Sequence, residues 1–150
     1  MKFKEFLGQD LDQELNEDVL SSLQRVVDAL IHAGNVAQAA HWNLRSSAFV
    51  TIHPWFAETY NALFSTADDV AEQIKIANID LMVNVNRAGT KTSTDEQELF
   101  LMVKNSLQSV KEALDAAATD TSLDRSLHGL IDDWTASITK MIWFIEASAK

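Results

Sequence analysis

Residues 16–44, NEDVLSSLQRVVDALIHAGNVAQAAHWNL, carry the clearest helical pattern in the chain. Apolar or small residues recur there at alternating steps of three and four, which places them on one side of a helix. This inward stripe consists of Leu20, Leu23, Val27, Leu30, Gly34, Ala37, His41 and Leu44. With Asn16 as its cap, the predicted helix is about 40 Å long at about 1.5 Å per residue, a length typical of a helix bundle.

A second helix is predicted after a short polar turn. Proline suits the first position of a helix and restrains the residue before it, so His53-Pro54 indicates the helix start. We expect this helix to end near Asp80. Its stripe consists of Phe56, Tyr60, Leu63 or Phe64, Ala67, Ala71, Ile74 and Asn78.

A long connection separates this helix from two more. Between residues 81 and 92 the periodicity fails, and asparagine, glycine and threonine residues predict a crossover. Thr94 and Gln97 match a capping box that opens a third helix ending at Ala118. A fourth helix is predicted from Leu123 almost to Lys150. We therefore predict an all-α, ferritin-like four-helix bundle of residues 16–150, preceded by a polar leader of residues 1–15.

The composition excludes several functional classes. Twelve Lys and Arg against 22 Asp and Glu give a formal charge of -10, which repels nucleic acid and anionic membranes. The absence of cysteine excludes disulfide scaffolds, thiolate zinc sites, cysteine nucleophiles and cysteine-ligated iron-sulfur clusters. No stretch is apolar over the roughly 18 residues of a membrane span, and the leader lacks an apolar signal core. We expect a soluble, cytoplasmic protein.

Four side chains are the strongest candidates for chemistry. Ferritin-like bundles usually build an iron site in one chain from Glu-x-x-His motifs, and this sequence has none. The remaining candidates are His41, His53, Asp68 and Glu72, whose imidazoles and carboxylates suit iron, manganese or zinc. His53 and Asp68 are about 22 Å apart on a continuous helix, too far to share an ion. Two chains with antiparallel second helices about a two-fold axis would bring the two pairs together.

Each candidate also has an ordinary structural explanation. Alone, His41 would be a core histidine bonded to a carbonyl group. Asp68 and Glu72 alone would form a solvated helix flank, with Glu72 paired to Lys75. The four together favour a metal site between subunits.

These residues resemble the signature of the Dps family of mini-ferritins. The matching features are His41-Trp42-Asn43, His53 twelve residues after the first histidine, and the pair Asp68 and Glu72. Residues 140–146, KMIWFIE, also resemble the family's last helix, and the likeness extends over about residues 16–147. It implies a hollow homo-oligomer of twelve subunits that binds iron, oxidises Fe(II), commonly with hydrogen peroxide, and stores ferric mineral.

The resemblance divides the ligands between subunits. His41 and His53 would come from one subunit, and Asp68 and Glu72 from its two-fold partner. Trp42 would shelter the site and take up stray oxidising equivalents. Its structural alternative is packing at the subunit boundary.

One ligand position departs from the family pattern. The family usually has an aspartate four residues after the second histidine, where this chain has Ala57, so one metal position loses a carboxylate. One residue turns a helix by about 100°, so Glu58 replaces that ligand only if the helix start is irregular, which Pro54 permits.

The expected function is an Fe(II)-oxidising, iron-storing cage that protects against oxidative damage. The first alternative is a non-enzymatic shell or dimer whose metal site is degenerate because of Ala57. The second is a DNA-compacting member. Relatives that bind DNA often carry a lysine-rich tail, but this leader offers only Lys2 and Lys4 among more numerous acidic residues, so we expect no direct DNA binding.

Overall fold

The computed structural model describes residues 3–82 and 92–149, with side chains described for residues 21–82 and 92–149. These residues form four helices: α1 (Phe3–Asn43), α2 (Phe49–Ile76), α3 (Glu96–Ala118) and α4 (Arg125–Ser148). Over these residues, none of the helices combines the length and the apolar composition that a membrane span requires.

Contacts at the helix ends set the topology. Residues 44–48 and 119–124 are short links that join α1 to α2 and α3 to α4. The Arg45 N–H donates to the Thr94 carbonyl at 3.0 Å, so the beginning of α3 lies beside the end of α1. The third helix therefore runs parallel to α2, and the connection between Ile76 and Glu96 returns along the bundle. This confirms the predicted ferritin-like bundle, although residues 83–91 of the predicted crossover lie outside the described residues.

The first helix is the centre of the packing. It contacts both α2 and α3, whereas α4 packs on α3 and meets α2 only briefly. Phe56 of α2 and Phe100 of α3 contact across the diagonal, with ring centroids 5.6 Å apart. Burial of such side chains supplies the main driving force for folding. The largest fully buried ones are Phe56, Phe100, Leu23, Leu30, Leu63, Ile74, Leu99, Leu107, Leu114, Ile131, Ile138 and Val26.

The stripe glycine of α1 makes room for an aromatic ring of α2. A Cβ atom added at Gly34 would lie 2.5 Å from Cε1 of Phe64, well inside van der Waals contact. The Phe64 ring therefore packs directly against the backbone at Gly34.

The start of α1 differs from the prediction. The helix begins at Phe3, so Asn16 is not its cap. Residues 3–15 contain no proline, and Phe3, Leu7, Leu11 and Leu15 recur at the four-residue spacing of a helix. The boundary between a leader of residues 1–15 and a bundle of residues 16–150 stays a prediction.

The start of α2 is also earlier than predicted. The helix begins at Phe49, and Pro54 lies inside it. The Ile52 N–H already donates to the Ala48 carbonyl at 3.0 Å, so the first turn forms before the proline. Pro54 withholds the N–H that would bond to the Val50 carbonyl, and Val50 is 86% exposed, so water can satisfy that carbonyl.

The second helix ends at Ile76 rather than near Asp80. Asn78 adopts a left-handed conformation with φ of 60° and donates its N–H to the Lys75 carbonyl at 2.9 Å. The N–H of Ile79 reaches the Ile74 carbonyl at 3.4 Å, which completes a Schellman motif. Asn78 therefore terminates the helix and does not belong to its stripe.

The cap of α3 is Asp95 rather than Thr94. The Asp95 carboxylate accepts a hydrogen bond from the Glu98 N–H at 3.0 Å. A carboxylate is favoured here because it also interacts with the positive end of the helix dipole. The predicted third helix is otherwise confirmed, and the fourth begins after its own cap, Asp124.

Candidate functional site

The α1–α2 link brings His41 and His53 into direct contact. Their rings are stacked, with centroids 3.7 Å apart and an interplanar angle of 20°. His41 Nδ1 lies 2.9 Å from the His53 carbonyl oxygen, and His53 Nδ1 lies 3.0 Å from the His41 carbonyl oxygen. Each histidine thus bonds to the backbone of the other, and His53 satisfies a carbonyl at the open end of α1.

These two bonds assign the ring protons. A carbonyl oxygen only accepts hydrogen bonds, so each Nδ1 carries hydrogen and donates. The Nε2 atom of each neutral ring then keeps its lone pair. This is the usual arrangement of a metal-binding histidine, whose other ring nitrogen is held by a carbonyl or carboxylate.

Two further aromatic rings border the imidazole pair. Phe49 is stacked on His53, with ring centroids 4.4 Å apart and an interplanar angle of 19°. Tyr60 meets His41 edge-on, at 5.5 Å and 71°. Sequence reasoning missed both residues, although Phe49 lies one helical turn before His53 and Tyr60 two turns after it.

The candidate carboxylates lie further along α2. Asp68 and Glu72 are both exposed. The alternative pairing of Glu72 with Lys75 is not formed, because Lys75 donates to Asp80 at 2.9 Å. Among the described residues, no ion pair involves Asp68 or Glu72. Within the described part of this single chain, no group of three or more histidine and acidic side chains is placed to hold an ion.

Ala57 and Glu58 occupy different sides of α2. Ala57 is half-buried and lies one turn after His53. Glu58 lines a groove between α2 and α4 together with Trp55 and Lys140. This placement directs Glu58 toward α4 rather than toward the histidines of its own chain.

The tryptophans have distinct environments. Trp42, next to His41, is 69% exposed, whereas Trp134 is buried in the core. The ring of Trp55 stacks on Phe144 at 4.4 Å, and Trp143 is largely exposed.

No protein-family profile matches the sequence, but solved structures match the fold. The Dps protein of Vibrio cholerae O1, described as a member of a broad superfamily of ferritin-like diiron-carboxylate proteins, aligns with a TM-score of 0.83 at 16% identity. The alignment covers 91% of this chain and 92% of that one. Dps from Microbacterium arborescens in the high iron form aligns with a TM-score of 0.81 at 20% identity, over 90% of this chain and 94% of that one. This chain has the Dps fold.

The predicted resemblance to Dps proteins is thereby confirmed at the level of the fold. A third Dps structure, from Listeria innocua, aligns with a TM-score of 0.77 at 18% identity, over 86% of this chain and 92% of that one. It is a mutant in which two histidines, twelve positions apart, are replaced by glycine. His41 and His53 have the same spacing.

Proposed function

We propose that this chain is the subunit of a Dps-like homo-oligomer that binds Fe(II) as its substrate, oxidises it and stores the ferric product. His41 and His53 of one subunit bind the ion together with Asp68 and Glu72 of a two-fold partner. Zinc or manganese, which accept the same ligands, can substitute for iron. The oxidant is hydrogen peroxide, which takes one electron from each of two Fe(II) ions.

The reciprocal histidine pair is the observation that carries this proposal. Its Nδ1–H groups are committed to carbonyl oxygens 2.9 and 3.0 Å away, which leaves both Nε2 lone pairs for an ion. Each neutral imidazole has one donor and one acceptor nitrogen, and the carbonyl groups engage only the donors, so the two acceptor nitrogens suit a metal. Asp68 and Glu72 support the proposal because neither has a cation partner among the described residues of its own chain.

The remaining residues have supporting roles. Carboxylates, as hard ligands, favour Fe(III) and so promote the loss of an electron. Trp42, exposed beside His41, takes up oxidising equivalents that escape the site or packs at the subunit boundary. The formal charge of -10 per chain attracts cations to the shell, which we propose to contain twelve subunits.

The decisive test is an anaerobic Fe(II) titration by calorimetry, with light scattering for particle mass, followed by addition of peroxide. We expect about two irons per subunit, as in di-iron bundles, and fast oxidation. His41→Ala combined with Glu72→Ala should slow oxidation by about a hundredfold. The matched control is His32→Ala combined with Asp69→Ala, which changes an exposed histidine of α1 and an exposed carboxylate of α2. Equal oxidation rates in the parent and the His41/Glu72 variant would reject the proposal.

A second candidate function is a shell with a degenerate metal site. It is favoured by Ala57 and by the position of Glu58 in the α2–α4 groove. Ala57→Asp separates the two candidates, with exposed Ala136→Asp as a control for added charge. A large gain in iron stoichiometry or oxidation rate specific to Ala57→Asp indicates a degenerate natural site, whereas an unchanged rate indicates that the missing carboxylate is compensated.

Direct DNA compaction is not part of the proposal. The formal charge of -10 opposes binding to phosphates. Gel retardation at low salt, with and without magnesium, tests this point. We expect DNA to remain free without magnesium, and retardation there would revive the DNA-compacting alternative.

A further inference from the structure

The histidine pair is enclosed in a column of four rings in the order Phe49, His53, His41 and Tyr60. The centroid distances along the column are 4.4, 3.7 and 5.5 Å. Phe49 is stacked on His53, and Tyr60 makes a T-shaped contact with His41. Both imidazoles therefore have an aromatic neighbour as well as each other.

The early start of α2 builds this column. Phe49 is the first residue of the helix, four positions before His53, so the two side chains share a helix face. Had the helix begun at Pro54, Phe49 would lie in the loop. Tyr60, two turns after His53, lies on the same face.

The turn beneath the column is fastened to α3. The Ser46 hydroxyl donates to the Glu96 carboxylate and accepts from the Ala48 N–H at 3.0 Å. The Arg45 N–H bonds to the Thr94 carbonyl at 3.0 Å. The turn that precedes Phe49 is thus held to α3 by bonds that do not involve either imidazole.

The Nδ1 bonds alone leave each imidazole free to tilt about a single contact. A hydrogen bond to a carbonyl oxygen tolerates a broad range of directions. Metal binding requires the opposite, namely a lone pair held within about 10–20° of the ligand direction by neighbouring groups. The stacked contact of Phe49 with His53 and the T-shaped contact of Tyr60 with His41 restrict this tilt.

We propose that Phe49 and Tyr60 are positioning residues that clamp the stacked imidazoles and direct their Nε2 lone pairs at the metal. The expected consequence of this clamp, a higher affinity for iron, rests on the proposed function. Its structural part, the restraint of the two rings, concerns the protein without metal. Neither aromatic residue binds the ion itself.

The variants are Phe49→Leu and Tyr60→Leu, which keep an apolar side chain but remove the flat ring, and the conservative rescues Phe49→Tyr and Tyr60→Phe. Trp143→Leu removes an exposed aromatic ring on α4 and is the matched control. Light scattering and thermal unfolding identify any variant that fails to assemble or fold. Any leucine variant that fails is replaced by the corresponding methionine variant.

The first readout is Fe(II) affinity by anaerobic calorimetry. We expect each leucine variant to bind about tenfold more weakly, as for other residues that orient a ligand. The rescue variants and Trp143→Leu should match the parent within about twofold. Unchanged affinity in both leucine variants, with His41→Ala plus Glu72→Ala abolishing binding, overturns the clamp.

The second readout needs no iron. In protein labelled with ¹⁵N-histidine, solid-state NMR should show narrow side-chain nitrogen signals for His41 and His53 in the parent and broadened signals in the leucine variants, because the released rings sample several tilts. If the parent binds no iron but this change occurs, the clamp stands and the proposed function fails. If the signals stay equally narrow in both leucine variants, the clamp is refuted whatever the iron result.

Discussion

The two short links of the bundle reverse the chain in different ways. In the α1–α2 link, the hydrogen bonds reach across the fold: His41 and His53 are 12 residues apart and bond reciprocally, and Ser46 bonds to Glu96, 50 residues away. In the α3–α4 link, the bonds are local. Asp124 accepts from the Ser126 hydroxyl at 2.6 Å and from the Leu127 N–H at 2.8 Å.

Local capping is sufficient to end one helix and begin the next, as the α3–α4 link demonstrates. The long-range bonds at the α1–α2 link accomplish more than chain reversal. They fix two imidazole rings beside exposed aromatic side chains, which are costly to leave in water unless a partner covers them. The comparison therefore sets the first link apart as the end of the bundle that carries the two histidines proposed as ligands.

The largest expected difference between the links is in iron binding. His53→Ala removes a proposed ligand and the Nδ1–H that satisfies the His41 carbonyl, so Fe(II) affinity should fall by about a hundredfold or more. His128→Ala, at the start of α4, should leave the affinity unchanged. Anaerobic calorimetry on both variants measures this contrast, and similar losses in the two would remove the distinction between the links.

An added methyl group should change the free energy of unfolding in opposite directions in the α1–α2 pair and in the α3–α4 pair. Gly34→Ala places a Cβ atom 2.5 Å from the Phe64 ring, and such overpacking costs about 1–3 kcal/mol, more than the roughly 1 kcal/mol gained in helix propensity. We expect a lower free energy of unfolding in urea.

The background variant Phe64→Ala checks the cause of that loss. Without the ring, Gly34→Ala should become stabilising, because only the helix propensity remains. A destabilising effect that persists in this background would place the clash elsewhere.

The corresponding change in the second helix pair is smaller and of opposite sign. Gly129 has no atom within 4 Å of an added Cβ. Gly129→Ala should therefore raise the free energy of unfolding by up to about 1 kcal/mol. Urea denaturation measures the change, and a decrease would indicate that this surface is covered in the assembled protein.

The smallest expected effect is the pH dependence of the α3–α4 link. The Ser126 hydroxyl and the Leu127 N–H lower the pKa of Asp124 below 3.8. A lowered pKa means that the carboxylate stabilises the fold at neutral pH and that this contribution disappears as the pH falls through the lowered pKa. Asp124→Ala should lower the unfolding temperature slightly at pH 7 and make less difference below about pH 3.8. A difference that is constant with pH would mean that the carboxylate charge contributes nothing.

The sequence predicted those parts of the fold that depend on local pattern. Helical periodicity located the four helices, and the interruption between residues 81 and 92 predicted the crossover. The predicted start of α2 was wrong because proline usually lies in the first turn of a helix. Here it is tolerated inside the helix, since the carbonyl it leaves free belongs to exposed Val50.

The candidate site was only partly predictable, because local pattern does not specify contacts between residues that are distant in the sequence. The sequence predicted that His41 and His53 form one pair of ligands from the same subunit. The structural alternative, a pairing of Glu72 with Lys75, is not formed, because the Schellman turn at Asn78 places Asp80 within 2.9 Å of Lys75. An ion pair at i and i+3 is weak and yields to a partner that the backbone brings closer.

The sequence by itself determined the helical architecture, the acidic charge and the kinds of ligand available, because these follow from residue type and from spacing along one helix. Only the tertiary structure decided which nitrogen of each imidazole is free, which rings hold the pair and where Glu58 points. Those properties depend on hydrogen bonds and ring contacts between separate helices, and their geometry is fixed only when the whole core packs.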